Sequence, residues 1–206
     1  MKKSKVLLTL ACAVLLVAAS VMGTLAYLTS TSEVKNTFSV GSVTITMDEQ
    51  DVDHSTDGED RDTANSYKLM PGHEYIKDPI IHVDSNSEDC YLFVTIKNEI
   101  AAIEAEGSTT VAEQMKDKGW AAVDGVADTY VYIGTAEDAA DPLAVSAGRD
   151  IPVFEKIKIA GSVDNSTLAG YANKTITVNA YAVQKDGFEG KTAAVIWSTA
   201  FPTQNP

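Results

Sequence analysis

From residue 38 onward, apolar positions recur every second residue far more often than every 3.6, and the runs are rich in Val, Ile, Thr and Tyr. Both features belong to pleated strands. Val43, Ile45 and Met47 alternate with Ser42, Thr44 and Thr46, and Cys90, Leu92, Val94 and Ile96 alternate with Tyr91, Phe93, Thr95 and Lys97. Ile176, Val178, Ala180 and Ala182 alternate with Thr175, Thr177, Asn179 and Tyr181. Shorter strands are predicted at residues 80–83, 129–133, 143–145, 157–159 and 194–197. The breaks carry turn chemistry: Pro71-Gly72, Asp78-Pro79, Asp141-Pro142, Ala147-Gly148 and Asp186-Gly187. One segment, residues 109–118, reads as a helix, because Thr110 and Glu113 have capping-box spacing and Gly119 can end it. A shorter helical stretch is expected within residues 98–106. Each half-buried ribbon must hide its apolar face against another sheet. The prediction is therefore an all-β chain, a two-sheet antiparallel sandwich with a small helical insertion.

The first 40 residues depart from that pattern. Lys2, Lys3 and Lys5 precede an uncharged run from Val6 to Leu28, which reads as the basic and apolar regions of a signal peptide. Thr24-Leu25-Ala26 places small residues three and one before a cut, so residues 1–26 are the expected signal and Tyr27 the first mature residue. A cut after Ala19 would leave an apolar stub, and an uncleaved run of this length would reach across about 30 Å of hydrocarbon. Residues 27–40 alternate weakly and lead into the first strong strand, leaving residues 41–206 as a single sandwich domain. An extended segment released by export can pair within its own sheet, or add to an exposed sheet edge of another copy. Repeated head to tail, the second arrangement does not close and gives a fibre.

Charge and cysteine content narrow the function classes. The chain has 206 residues and a formal charge of −13, and no stretch is basic enough to neutralise a row of phosphates, which argues against nucleic acid. Loss of residues 1–26 removes three of the 16 basic residues and none of the 29 acids, so the mature charge is −16. Cys90 is then the only cysteine, and its apolar neighbours mark it as a small buried hydrophobe in a fold without disulfides.

Candidate chemistry is sparse. Asp53-x-Ser55-x-Asp57-Gly58 opens like a calcium loop, with oxygens at alternate positions before a glycine, but Ala64 stands where the twelfth-position glutamate should be. His73-Glu74 invites comparison with zinc-protease helices, yet Lys77 occupies the position four after His73 and prolines bracket the segment. Asp53, Asp57, His73, Glu74 and His82 are the metal candidates, for calcium or zinc, and no other cofactor is expected. No nucleophile elbow or phosphate-cradling glycine loop occurs, so no catalytic residue is assigned.

The run Gly23-Thr24-Leu25-Ala26-Tyr27-Leu28-Thr29, then Glu33-Val34-Lys35-Asn36-Thr37-Phe38-Ser39-Val40-Gly41 and Val43-Thr44-Ile45, resembles the start of the TasA and camelysin family of Gram-positive exported proteins. Further similarity lies in Leu69-Met70-Pro71-Gly72, Asp78-Pro79-Ile80, the run from Ile176 to Gln184, Gly187-Phe188 and Trp197, with residues 100–150 least similar. The resemblance implies a signal peptide cut by a dedicated signal peptidase of the endoplasmic-reticulum type, a sandwich of jelly-roll type, and secretion to the extracellular matrix or cell surface. It also implies assembly into biofilm fibres by insertion of the N-terminal strand of one subunit into the next. Tyr27, Leu28, Val34 and Phe38 would then belong to the exchanged segment, and the partners would be further copies of the chain and other matrix proteins. Camelysin-like members are classed as cell-surface metalloproteases, which gives the alternative reading, and a monomeric surface adhesin is a third.

Overall fold

The computed structural model describes residues 3, 5–6, 10–16, 41–55, 59–107, 109–135 and 142–204. The expected cleavage point at Ala26 and Tyr27, the exchange-segment residues Leu28, Val34 and Phe38, and Asp57 lie outside the described residues. The chain divides into two compact units, Met1–Val40 and Gly41–Pro206. In the first, residues 10–16 are helical and exposed, and among the described residues no helix is long and apolar enough to cross a membrane.

In the second unit the strands are, in chain order, β1 (Ile45–Gln50), β2 (Arg61–Asp62), β3 (Glu74–Ile76), β4 (Ile80–Val83), β5 (Cys90–Asn98), β6 (Trp120–Ala122), β7 (Thr129–Tyr132), β8 (Ala144–Val145), β9 (Asp150–Pro152), β10 (Lys156–Lys158) and β11 (Ile176–Gln184). Among the described residues three α-helices accompany them: α1 (Val111–Asp117), α2 (Asn165–Ala169) and α3 (Ala193–Ala200). The unit is mostly β and its paired strands are antiparallel, as the alternation predicts. They form a four-stranded sheet in the order β2-β1-β4-β9, a ribbon of β10 with β3, and a five-stranded sheet in the order β11-β5-β7-β6, with β8 also on β5.

β5 is central to this second unit. Its even positions Cys90, Leu92 and Val94 are fully buried in a core shared with Ile81 and Val83 of β4, Ile151 of β9 and Ile157 of β10. Its odd positions Tyr91 and Phe93 are buried as well, in a second core under α3 with Val131, Ile196 and Trp197. A helix thus covers the outer face of the larger sheet, which the half-buried ribbons did not foretell.

That helix corrects the strand expected at residues 194–197. Ala193, Ile196 and Trp197 are buried and fall three and four residues apart, the spacing of one helix face. A four-residue window could not separate this pattern from alternation. The helical insertion expected at residues 109–118 is α1: Thr110 accepts the Glu113 backbone N–H at 3.3 Å. Gly119 follows with φ +87°, and a Cβ there would lie 2.5 Å from the Gly134 carbonyl, so both conformation and contact require glycine. Buried Gln114 ties α1 to β10, donating to the Lys156 carbonyl at 2.8 Å and accepting from the Glu155 N–H at 3.1 Å. The helical stretch expected within residues 98–106 contracts to a 3-10 turn at Ala101–Ile103. Helix α2 was not expected; Asp164 caps it by accepting the Thr167 N–H at 2.7 Å, which holds that carboxyl down at about 2.

Candidate strand-docking cleft

Strands β1 and β11 face one another from different sheets with nothing described between them. The hydrogen-bond parity of each strand follows from its neighbours. The Glu99 N–H donates to the Thr175 carbonyl at 3.0 Å, and the Lys185 N–H to the Asp89 carbonyl at 2.8 Å. In the β11–β5 register the odd residues of β11 therefore spend their backbone groups on β5. Those of Ile176, Val178, Ala180 and Ala182 point to the open edge, and among the described residues no strand pairs with them.

On β1 the Asp84 N–H donates to the Thr44 carbonyl at 3.0 Å, so Thr44, Thr46 and Asp48 bond toward β4. Ile45 and Met47 point the other way. Beyond them β2 occupies the same edge, pairing Glu49 with Asp62 and Gln50 with Arg61. The free edge of β1 is thus short and that of β11 spans nine residues.

Side chains at this cleft are apolar but only half-buried. Val43, Ile45 and Met47 on one wall, and Ile176, Val178, Ala180 and Ala182 on the other, pack against the main core without being enclosed by it. The equivalent inward positions of β5, Leu92 and Val94, have no exposed surface at all. Between Ile45–Met47 and Val178–Tyr181 the cleft is narrow, about 360 Å³. Toward the Ile176 end it widens into a cavity of about 770 Å³ lined by Leu69, Ile100, Ile157, Leu168, Tyr171 and other residues. The Lys77–Glu49 ion pair, 2.7 Å apart and nearly buried, lies in the lining, with Asn65 Nδ2 donating to Glu49 at 3.1 Å. Both charges are thereby matched.

Main-chain donors and acceptors that no described strand pairs, beside apolar side chains, suit an occupant with its own backbone, which is to say an extended peptide. A small apolar ligand would leave the edges unsatisfied. The sequence carried a sign of this. Exposed edge strands are ordinarily blunted by a charge, a proline or a bulge. The nine residues of β11, Ile-Thr-Val-Asn-Ala-Tyr-Ala-Val-Gln, contain none of the blunting residues.

The metal candidates are dispersed. Glu74 on β3 pairs with Lys156 at 3.0 Å, His73 is exposed in the turn before it, and His82 lies on the outer face of β4. Among the described residues the one group within metal-ligating reach is Asp51, Asp53 and Asp62. Its oxygens already accept local hydrogen bonds: Asp53 from the Ser66 N–H at 2.6 Å and the Ser55 N–H at 3.0 Å, Asp62 from the Ala64 N–H at 3.2 Å and the Ser55 hydroxyl at 3.0 Å. The Ser66 bond is the chief reason that Asp53 titrates below an ordinary aspartate. The cluster closes the loop between β1 and β2.

His82 instead forms a clasp across three strands. Nδ1 lies 2.7 Å from Asp150 on β9, and Nε2 lies 3.2 Å from Asp48 on β1, inside ion-pair distance but off the line of a hydrogen bond. Arg61 holds Asp48 in turn, its Nε 2.5 Å away, and also reaches Asp78 at 3.0 Å. Partial burial disfavours the imidazolium, but contact with Asp150 and then Asp48 outweighs it and raises the His82 pKa. A raised folded-state value means that this contribution is complete below the unfolded value near 6.5 and is lost as pH rises through the folded value. The urea midpoint should therefore fall between pH 6 and pH 9 by less than about 1 kcal/mol equivalent, since Asp150 is well exposed. His82→Gln should remove the dependence, and an unchanged slope in that variant would assign it elsewhere.

Comparison with known proteins gives no matching family model, no matching curated protein and no matching solved structure.

Proposed function

We propose that this chain is a secreted structural protein of the extracellular or biofilm matrix, a sandwich of jelly-roll type that assembles head to tail by strand exchange. Residues 27–38 of one copy, set free by a dedicated signal peptidase, add as a strand to the cleft between β1 and β11 of the next. The observation that carries this reading is the pair of free strand edges flanking half-buried apolar side chains. The resemblance of the N-terminal residues to the TasA and camelysin family supports it. A contact of this kind is heterologous, and nothing in it limits growth to a dimer.

The test is electron microscopy and sedimentation of the chain beginning at Tyr27, with and without residues 27–38. The longer form should give fibres whose amount rises with protein concentration, and the shorter form should stay monomeric. Monomers from both forms at every concentration would end the fibre reading and leave the surface adhesin. Chelator-sensitive proteolysis lost on changing His73 or His82 would favour the protease.

A further inference from the structure

The two ends of the cleft differ in width, and that difference assigns a direction and an anchor to the incoming strand. We infer that Phe38 of the exchanged segment is the specificity-determining side chain, seated in the wide cavity beside Ile176, with the segment running antiparallel to β11. This rests on the strand-docking reading above and deepens it.

Three observations carry the inference. The first is parity. Backbone groups of Ile176, Val178, Ala180 and Ala182 face the open edge while their side chains face the core, so an antiparallel strand that bonds to them turns the directly opposite residues inward as well. The inward residues must form one alternate set. In residues 27–38 the even set contains Leu28, Val34 and Phe38, with Ser30, Ser32 and Asn36 between them, whereas the odd set is Tyr27, Thr29, Thr31, Glu33, Lys35 and Thr37. The even set is the one suited to an apolar floor.

The second is size. The cavity of about 770 Å³ lies at the Ile176 end, and the narrow part runs from Val178 to Tyr181 past the small Ala180. Phe38 is the largest apolar side chain of the even set. Four residues separate it from Val34, about 13 Å along a strand, and four residues separate Ile176 from Ala180. With Phe38 opposite Ile176, Val34 falls opposite Ala180 and the small Ser32 opposite Ala182.

The third is reach. Phe38 is near the C-terminal end of the segment. If it occupied the wide end with the strand running parallel to β11, residues 27–37 would leave the cleft beyond Thr175 and cover none of the open edge. Only the antiparallel direction lays them along Val178 to Gln184. β2 meets β1 at Glu49 and Gln50, and Glu49 with residues 63–69 also lines the wide end, so at that end the incoming strand pairs with β11 alone.

The test uses the chain beginning at Tyr27. In a Cys90→Ala background, which leaves no other cysteine, two single-cysteine variants, Val34→Cys and Ala180→Cys, are mixed and oxidised; directly opposed residues of an antiparallel pair lie within disulfide reach. A 34–180 disulfide between the two variants is the expected product. Phe38→Ala should raise the critical concentration for assembly about a hundredfold or more, and Phe38→Leu should recover much of it. Fibres that form with no 34–180 disulfide, or that assemble equally well with Phe38→Ala, would overturn the anchor and its register and leave strand exchange standing. If a chain carrying both cysteines links them only within itself, as a monomer, exchange between copies fails along with this inference.

Discussion

Ala180→Pro should leave the monomer folded and weaken assembly at least about tenfold, whereas Asn179→Pro, one residue away, should unfold the strand. The contrast follows from the parity of β11. The Ala180 N–H points to the open edge, so proline there removes no bond to β5, and edge positions of this kind are where strands tolerate proline. What it removes is a donor that the docked strand needs, and it sets a ring in that strand's path. Leaving one acceptor of the partner unmatched costs about 1–3 kcal/mol, or roughly five- to 150-fold in affinity. Asn179 is directed the other way. It is registered with Thr95, its N–H belongs to the ladder with β5, and its side chain also donates to Thr95 Oγ1 at 3.3 Å. Proline at 179 should cost roughly 3 kcal/mol through the broken ladder. Circular dichroism and thermal melting read the fold, and sedimentation reads assembly. Ala180→Pro assembling like the unaltered protein would show that β11 is not the docking edge.

Trp197→Ala should lower stability by about 3–5 kcal/mol, the usual range for emptying a large aromatic site. Trp197 has no exposed surface, and its ring lies 5.5 Å from Phe93, 5.1 Å from Tyr181 and 5.0 Å from Phe201. For a domain of this size the melting temperature should drop by roughly 6–20 °C. Trp197→Phe should restore most of the loss, because the indole Nε1 is buried with no hydrogen-bond partner among the described residues and its removal forfeits no bond there. Tyr181 belongs to β11, so the alanine variant should also loosen the strand that walls the cleft and weaken assembly in step. A melting temperature within about 2 °C of the parent would mean that α3 contributes little to the outer face of the sheet.

The two substitutions bear on different parts of what the chain specifies. Alternation made β1, β5 and β11 legible, since a period of two over six to nine residues has no helical equivalent. The Thr110–Glu113 spacing and Gly119 made α1 legible through its ends. The helix over residues 193–200 was hidden because four apolar residues in a row suit either element, and what decided it was the place of Ile196 and Trp197 over Tyr91 and Phe93. Asp164, a cap with no apolar run behind it, gave no advance sign of α2.

Of the site, the sequence by itself determined which residues alternate and where the acidic loop lies. It also left β11 without the charges or prolines that blunt an edge. Only the tertiary structure decided that β11 is an edge at all, that β1 presents Ile45 and Met47 to it across a cleft, and that the cleft widens at Ile176. Likewise Asp48, His82 and Asp150 are distant in the chain and meet because β1, β4 and β9 are neighbours in one sheet. The physical reason is common to all of these. Side-chain alternation is a local property of a strand, whereas the hydrogen-bond partner of each edge and the shape of the space beside it depend on which strands the whole chain brings together.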